Sequence, residues 1–182
     1  MPGSMPEGKQ FIKNFLISND VTSILDVGPG SGNYVDLLKG VGEYANYPGG
    51  TRNNVRWEAV EIFEPYIEIF NLRNKYNFIY TSDIYDLIWI KRYDAVILGD
   101  VLEHMSYSRA VEVIKQATDH ANWVILSLPI IDFPQESSWG NEHEAHVEQY
   151  SPERVRDLLA GYEIVAYYEG EVIGSYIFRK KS

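Results

Sequence analysis

Cysteine is absent from these 182 residues. That excludes a disulfide framework, a thiol nucleophile and a thiolate metal site. No apolar run approaches the roughly 18 residues of a membrane-spanning helix, and no signal peptide is visible. A cytoplasmic location without membrane association is therefore expected. Basic residues are outnumbered 16 to 26, for a formal net charge of −10. This balance disfavours a broad phosphate-binding surface, so nucleic acid is not an expected partner, although a local basic groove could still form. Long polar tracts and internal repeats are also missing, which argues against disorder and against a repeat architecture.

The chain is 45% hydrophobic and 14% aromatic. One domain over residues 1–182 with a substantial core suits that length and composition. Residues 1–4 read as an appended leader ahead of a native Met5. Residues 6–18 carry Phe11, Ile12, Phe15 and Leu16 at helical spacing, predicting an N-terminal helix over the sheet edge or a cleft.

Residues 24–34, ILDVGPGSGNY, organise the rest. Ile24, Leu25 and Val27 form a short apolar run, and Gly28, Gly30 and Gly32 follow at spacing two. Tyr34, Leu37, Leu38 and Val41 then repeat at helical spacing, so the glycines mark a strand-to-helix turn. Glycine lets such a turn pass close to a ligand, and the helix start beyond it offers free N–H groups. The pattern points to a nucleotide-cofactor loop. A dinucleotide fingerprint would place its third glycine three residues after the second; here the spacing is two.

Residues 55–62, VRWEAVEI, form a second strand ending in an acid. A carboxylate at that position can accept hydrogen bonds from both hydroxyls of a ribose. Glu61 is chosen over Glu58, which sits mid-strand, and Glu64, which opens the next helix beside Pro65. Residues 39–54, with four glycines and three asparagines, read as an insertion loop on the surface, with a substrate lid as the alternative. After a short strand at 78–80 comes Thr81-Ser82-Asp83-Ile84, where Asp83 either caps a turn or accepts from an amine, or does both. A buried strand at 95–98 follows, with Gly99 and Asp100 at its carboxyl end, where open α/β sheets bind ligands.

Two of these stretches carry a family resemblance. Asp26-Val27-Gly28-Pro29-Gly30-Ser31-Gly32 resembles the first motif of class I S-adenosylmethionine-dependent methyltransferases, and residues 93–105, YDAVILGDVLEHM, resemble the fourth motif of their small-molecule branch. The resemblance implies an α/β, Rossmann-like, doubly wound sheet of seven strands in the order 3-2-1-4-5-7-6, mostly parallel with an antiparallel last strand. The tight connection at 169–171 between two final strands agrees with that ending. It also implies S-adenosylmethionine as cofactor, held by Asp26, Gly28, Pro29, Gly30, Gly32, Glu61, Ile62, Asp83, Ile84, Gly99 and Asp100. Ile62 would pack on the adenine and Asp83 would accept from its amine.

The acceptor side is expected over the ends of strands four and five, lined by Asp100, His104 and the loop at 129–150. His104 and Asp100 are the catalytic candidates, with His104 as a base four residues after Asp100 on one helical face. Trp139, His143 and His146 are the substrate-binding candidates, and the acceptor expected is a small molecule, a protein being the less favoured choice. His143 and His146 beside Glu142 and Glu144 raise the question of a metal, but spacing three within a loop is thin support and no metal site is expected. A monomer or homodimer is anticipated. The rival readings are another Rossmann-like enzyme, such as an aminopropyltransferase or a dehydrogenase, and an inactive cofactor-binding module.

Overall fold

The computed structural model describes residues 6–138 and 140–181. The leader read at 1–4 and Trp139 lie outside the described residues.

Seven strands form one sheet: β1 (Ser23–Val27), β2 (Arg56–Glu61), β3 (Phe78–Thr81), β4 (Tyr93–Gly99), β5 (Ala121–Pro129), β6 (Tyr162–Glu169) and β7 (Ile173–Lys180). Their order is β3-β2-β1-β4-β5-β7-β6, as the resemblance implies. The first five pair in parallel, and β7 runs antiparallel between β5 and β6. Strand order reverses direction between β1 and β4, and a crevice at the carboxyl ends of these two strands is where such sheets take ligands.

Apolar alternation sets the layers. Along β4, Ala95 and Ile97 face one side while Val96 and Leu98 face the other, all four fully buried. Ala95 and Ile97 pack with Ile12 and Leu16 of α1 (Lys9–Ser18), Val35 and Leu38 of α2 (Asn33–Lys39) and Ile67 of α3 (Pro65–Ile69). Val96 and Leu98 pack with Ala110, Val113, Ile114 and Ala117 of α4 (Tyr107–His120) and Val155 and Leu158 of α5 (Pro152–Leu158). Helices thus cover both faces, which a parallel sheet requires. Ser151 caps α5 by accepting from the Arg154 amide at 3.2 Å, with Pro152 in the first turn.

The insertion at 39–54 packs against α1 rather than over the crevice. Tyr44 is buried, the Arg52 amide donates to the Leu38 carbonyl at 2.9 Å, and Lys13 Nζ donates to the Tyr47 carbonyl at 3.2 Å. At the other end of α1, the Glu7 carboxylate accepts the amides of Glu171, Val172 and Ile173 at 2.7–3.0 Å. The segment before α1 is thereby fastened to the connection between β6 and β7. No helix among the described residues is long and apolar enough to cross a membrane.

Candidate functional site

A cavity of about 380 Å³ opens at the carboxyl ends of β1, β2, β4 and β5. One wall is the turn after β1. Gly28 and Gly30 both line it with φ of 60° and 53°, a backbone region closed to most side chains. A Cβ on Gly28 would also meet Val101 Cγ2 at 3.1 Å. The Gly28 amide donates to the Val60 carbonyl at 2.9 Å, tying the turn to the end of β2. Pro29 lines the cavity between the two glycines. Gly32 does not line it: this residue is the N-cap of α2, at φ 81°, and a Cβ there would strike Lys75 Cδ at 2.8 Å.

Asp26 also lies behind the wall. It is 1% exposed, and its Oδ2 accepts from the Tyr76 hydroxyl at 2.6 Å. Burial pushes its carboxyl up to about 7, against the hydrogen bond from Tyr76 and the positive charge of Lys9. Lys9 is itself buried on α1, with its ammonium 4.5 Å from the centre of the Tyr34 ring. Burial lowers its pKa, while the charges of Asp100 and Asp26 oppose the shift. Nothing in the helical pattern of 6–18 announces a cation on that buried face.

Glu61 ends β2 at the cavity, with Ile62 beside it, 39% exposed. Glu61 Oε1 accepts the Phe63 amide at 2.8 Å, which orients the carboxylate and leaves it acceptor capacity. Burial pushes it up to about 7; the Phe63 amide opposes this, and the charges of Glu144 and Asp26 add to it. Glu58, the rival acid, is consumed by structure: Lys91 Nζ and the Tyr93 hydroxyl donate to it at 2.7 and 2.8 Å. Burial disfavours its charge, but those bonds and the Lys91 and Arg56 charges prevail and hold its carboxyl below the ordinary range.

Asp83 and Ile84 form the next wall. Asp83 does cap a turn, accepting the Tyr85 amide at 2.9 Å, and its other oxygen accepts from Arg109 Nη2 at 2.5 Å. Gly99 is glycine because a Cβ would strike the Tyr34 ring at 2.5 Å.

The placement of Asp100 and His104 on one helical face is corrected by the backbone. Asp100 adopts φ 53°, and only a single 3-10 turn, Leu102–His104, follows. The left-handed residue breaks any continuous helix between them. Both nevertheless line the cavity, as do His143 and His146 from the loop at 129–150. His104 Nδ1 lies 3.2 Å from the Ala145 carbonyl, and His146 Nδ1 lies 2.6 Å from that of Phe133. Burial lowers the His104 pKa, against the carbonyls of Ala145 and Asp100.

Glu103, Arg109 and Gln135, to which the sequence assigned no role, line the same cavity, as does Glu144, considered there only beside a metal. Glu103 stood inside the stretch 93–105 without a role, between Asp100 and His104, which were given one. Gln135 Nε2 donates to the Glu144 carbonyl at 2.7 Å, and the Tyr66 hydroxyl donates to Glu144 Oε1 at 3.1 Å. The first bond is internal to the loop at 129–150, and the second fastens that loop to α3.

No family model matches the sequence, and no curated protein matches it either. Solved structures do match in fold. The magnesium protoporphyrin IX methyltransferase ChlM of Synechocystis PCC 6803, solved with bound SAM, superposes with a TM-score of 0.66 at 16% identity, covering 96% of this chain and 79% of that one. The N-methyltransferase NodS of Bradyrhizobium japonicum WM9 gives 0.62 at 14%, covering 96% and 93%. The small RNA methyltransferase HEN1 gives 0.69 at 16%, covering all of this chain and 26% of that one. At these identities the likeness is one of fold.

Proposed function

We propose that this chain is an S-adenosylmethionine-dependent methyltransferase. The observation that carries the reading is the junction of three features at one cavity: left-handed glycines after β1, an oriented carboxylate ending β2, and the sheet's reversal point. The fold it shares with solved methyltransferases supports the same reading.

The residues fit that cofactor. Gly28 and Gly30 leave room for close backbone approach, and Glu61 keeps lone pairs for a pair of ribose hydroxyls. Ile62 and Ile84 offer apolar surface for the adenine, with Asp83 held beside them by Tyr85 and Arg109. Asp26 acts from behind the turn. When bound, S-adenosylmethionine supplies a methyl group on a sulfonium, an electrophile already activated. The chain's task is then to orient the acceptor in line and to exclude water. A hydroxyl or amine acceptor must also lose a proton, and His104 presents a ring nitrogen where that acceptor would stand.

The acceptor proposed is a small molecule. A cleft of about 380 Å³ and a chain of net charge −10 support it. Calorimetry with S-adenosylmethionine, S-adenosylhomocysteine and NAD tests the cofactor. Binding of both sulfur compounds and not of NAD is expected; binding of NAD alone would establish the dehydrogenase reading instead. Turnover against a metabolite panel separates an enzyme from an inactive binding module.

A further inference from the structure

The floor of the cavity carries an acid that cofactor binding does not use. Glu103 is 2% exposed, and neither of its carboxylate oxygens has a hydrogen-bond partner among the described residues. A buried carboxylate in that condition needs either a proton or a cation. Two imidazoles stand beside it. One donor atom from each of Glu103, His104 and His146 lies within 4.8 Å of the others, and the two rings are 4.9 Å apart.

The hydrogen bonds fix the tautomers. A backbone carbonyl only accepts, so Nδ1 of His104 and Nδ1 of His146 must each carry the hydrogen they direct at Ala145 and Phe133. In a neutral ring that leaves Nε2 of both as a lone-pair donor. An outer Nδ1–H bond of this kind is what orients imidazoles that ligate metals. The backbone holds the spacing as well: the amides of Val147 and Glu148 donate to the Glu103 carbonyl at 2.8 and 3.0 Å, and the His146 amide donates to the Gln135 carbonyl at 2.9 Å.

We infer that Glu103, His104 and His146 bind one divalent transition-metal ion of the zinc, manganese or iron type, and that this ion holds an oxygen of the methyl acceptor. Two imidazoles and one carboxylate suit such ions better than calcium or magnesium, which favour all-oxygen sets. Three protein ligands leave coordination positions open, and all three residues line the cavity. The part played toward the acceptor rests on the methyl-transfer reading; the binding of metal does not. A hydroxyl taking an open position becomes a stronger acid and releases its proton to water. Its oxygen then forms the bond to the methyl carbon as the S–CH₃ bond breaks and the sulfur leaves as a neutral thioether. His104 as ligand cannot also be the base, because one lone pair cannot serve both.

The test uses the full chain, stripped with a chelator and dialysed, then titrated with Zn²⁺, Mn²⁺ and Co²⁺ by calorimetry, with visible absorption for Co²⁺. A single equivalent is expected. Glu103→Gln and His146→Gln should each weaken binding by at least the roughly 100-fold upper range for loss of an outer-shell partner. His120→Gln, outside the cavity and half-buried against Trp89, should leave it unchanged. Circular dichroism confirms folding of each variant. Failure to bind, or binding that survives both ligand variants, overturns the site and leaves Glu103 as a protonated acid. S-adenosylhomocysteine is titrated into the same samples: failure there with metal binding intact overturns the methyl-transfer reading alone. Once an acceptor is known, full turnover by stripped enzyme in chelator overturns the ion's part in the reaction.

Discussion

Glu61→Gln separates stability from function at a single carboxylate. Its carboxyl is shifted from an ordinary 4.5 to about 7, burial being the main cause. A folded-state pKa raised above the unfolded one means stability is fully present below the unfolded value and is lost as pH rises through the folded one. At pH 8.5 the ionised group therefore costs the apoprotein about 3 kcal/mol, and at pH 4.5 almost nothing. Glutamine keeps the oxygen that accepts the Phe63 amide and removes the charge. Denaturant titration should find the variant more stable than the parent by up to about 3 kcal/mol at pH 8.5, with the gain vanishing near pH 4.5. Under the proposed function, cofactor binding should move the opposite way, because the ionised form would accept from both ribose hydroxyls. Affinity for S-adenosylhomocysteine at pH 8 should fall by ~1.5–3 kcal/mol, roughly 10- to 150-fold. In the parent, affinity should also decline as pH drops below about 7. Asp26 titrates in the same range, so the part of the decline missing from Glu61→Gln belongs to Glu61. A variant neither more stable at pH 8.5 nor weaker in binding would refute the assignment.

Gly30→Val places a β-branched residue at φ 53° on the cavity wall and should abolish binding of S-adenosylhomocysteine while circular dichroism shows a folded chain; retained affinity would remove the turn from the cofactor site. Asp26→Asn can still accept from Tyr76, so it should fold, gain stability above pH 7, and bind cofactor more weakly in calorimetry. Normal affinity with lost turnover would contradict this. Tyr76→Phe leaves Asp26 without that bond and should lower the unfolding free energy by about 1–3 kcal/mol in denaturant titration. His104→Ala removes a ring nitrogen needed either as base or as metal ligand and should cut turnover by roughly 10²–10⁴-fold with cofactor affinity intact; full activity across pH 6–9 would exclude His104 from the reaction.

The sheet and much of the cavity wall were legible because their signals are local. An apolar run, a glycine spacing and an acid at a strand end each occupy a few consecutive residues. What escaped depends on contacts between distant segments. Tyr76 reaches Asp26 across 50 positions, and His146 meets Glu103 from an irregular loop whose course no periodicity announces. The helical pattern of α1 named Ile12 and Leu16 correctly but gave no reason to bury Lys9 on the same side. Asp100 and His104 line one cavity, but a left-handed residue and a 3-10 turn bring them there in place of the expected helix.

The clasp between Glu7 and the connection of β6 with β7 has a kinetic consequence. Its partners are 164 to 166 positions apart, and β7 enters the sheet between β5 and β6. Until β7 has been synthesised, β5 remains an open edge and the segment before α1 has nothing to grip. Pairing over such separations is slow, and an unpaired apolar edge recruits other chains meanwhile. A ribosome-bound chain ending before Ile173 would thus hold most of its sheet with that edge exposed, the state in which a nascent chain depends most on chaperones.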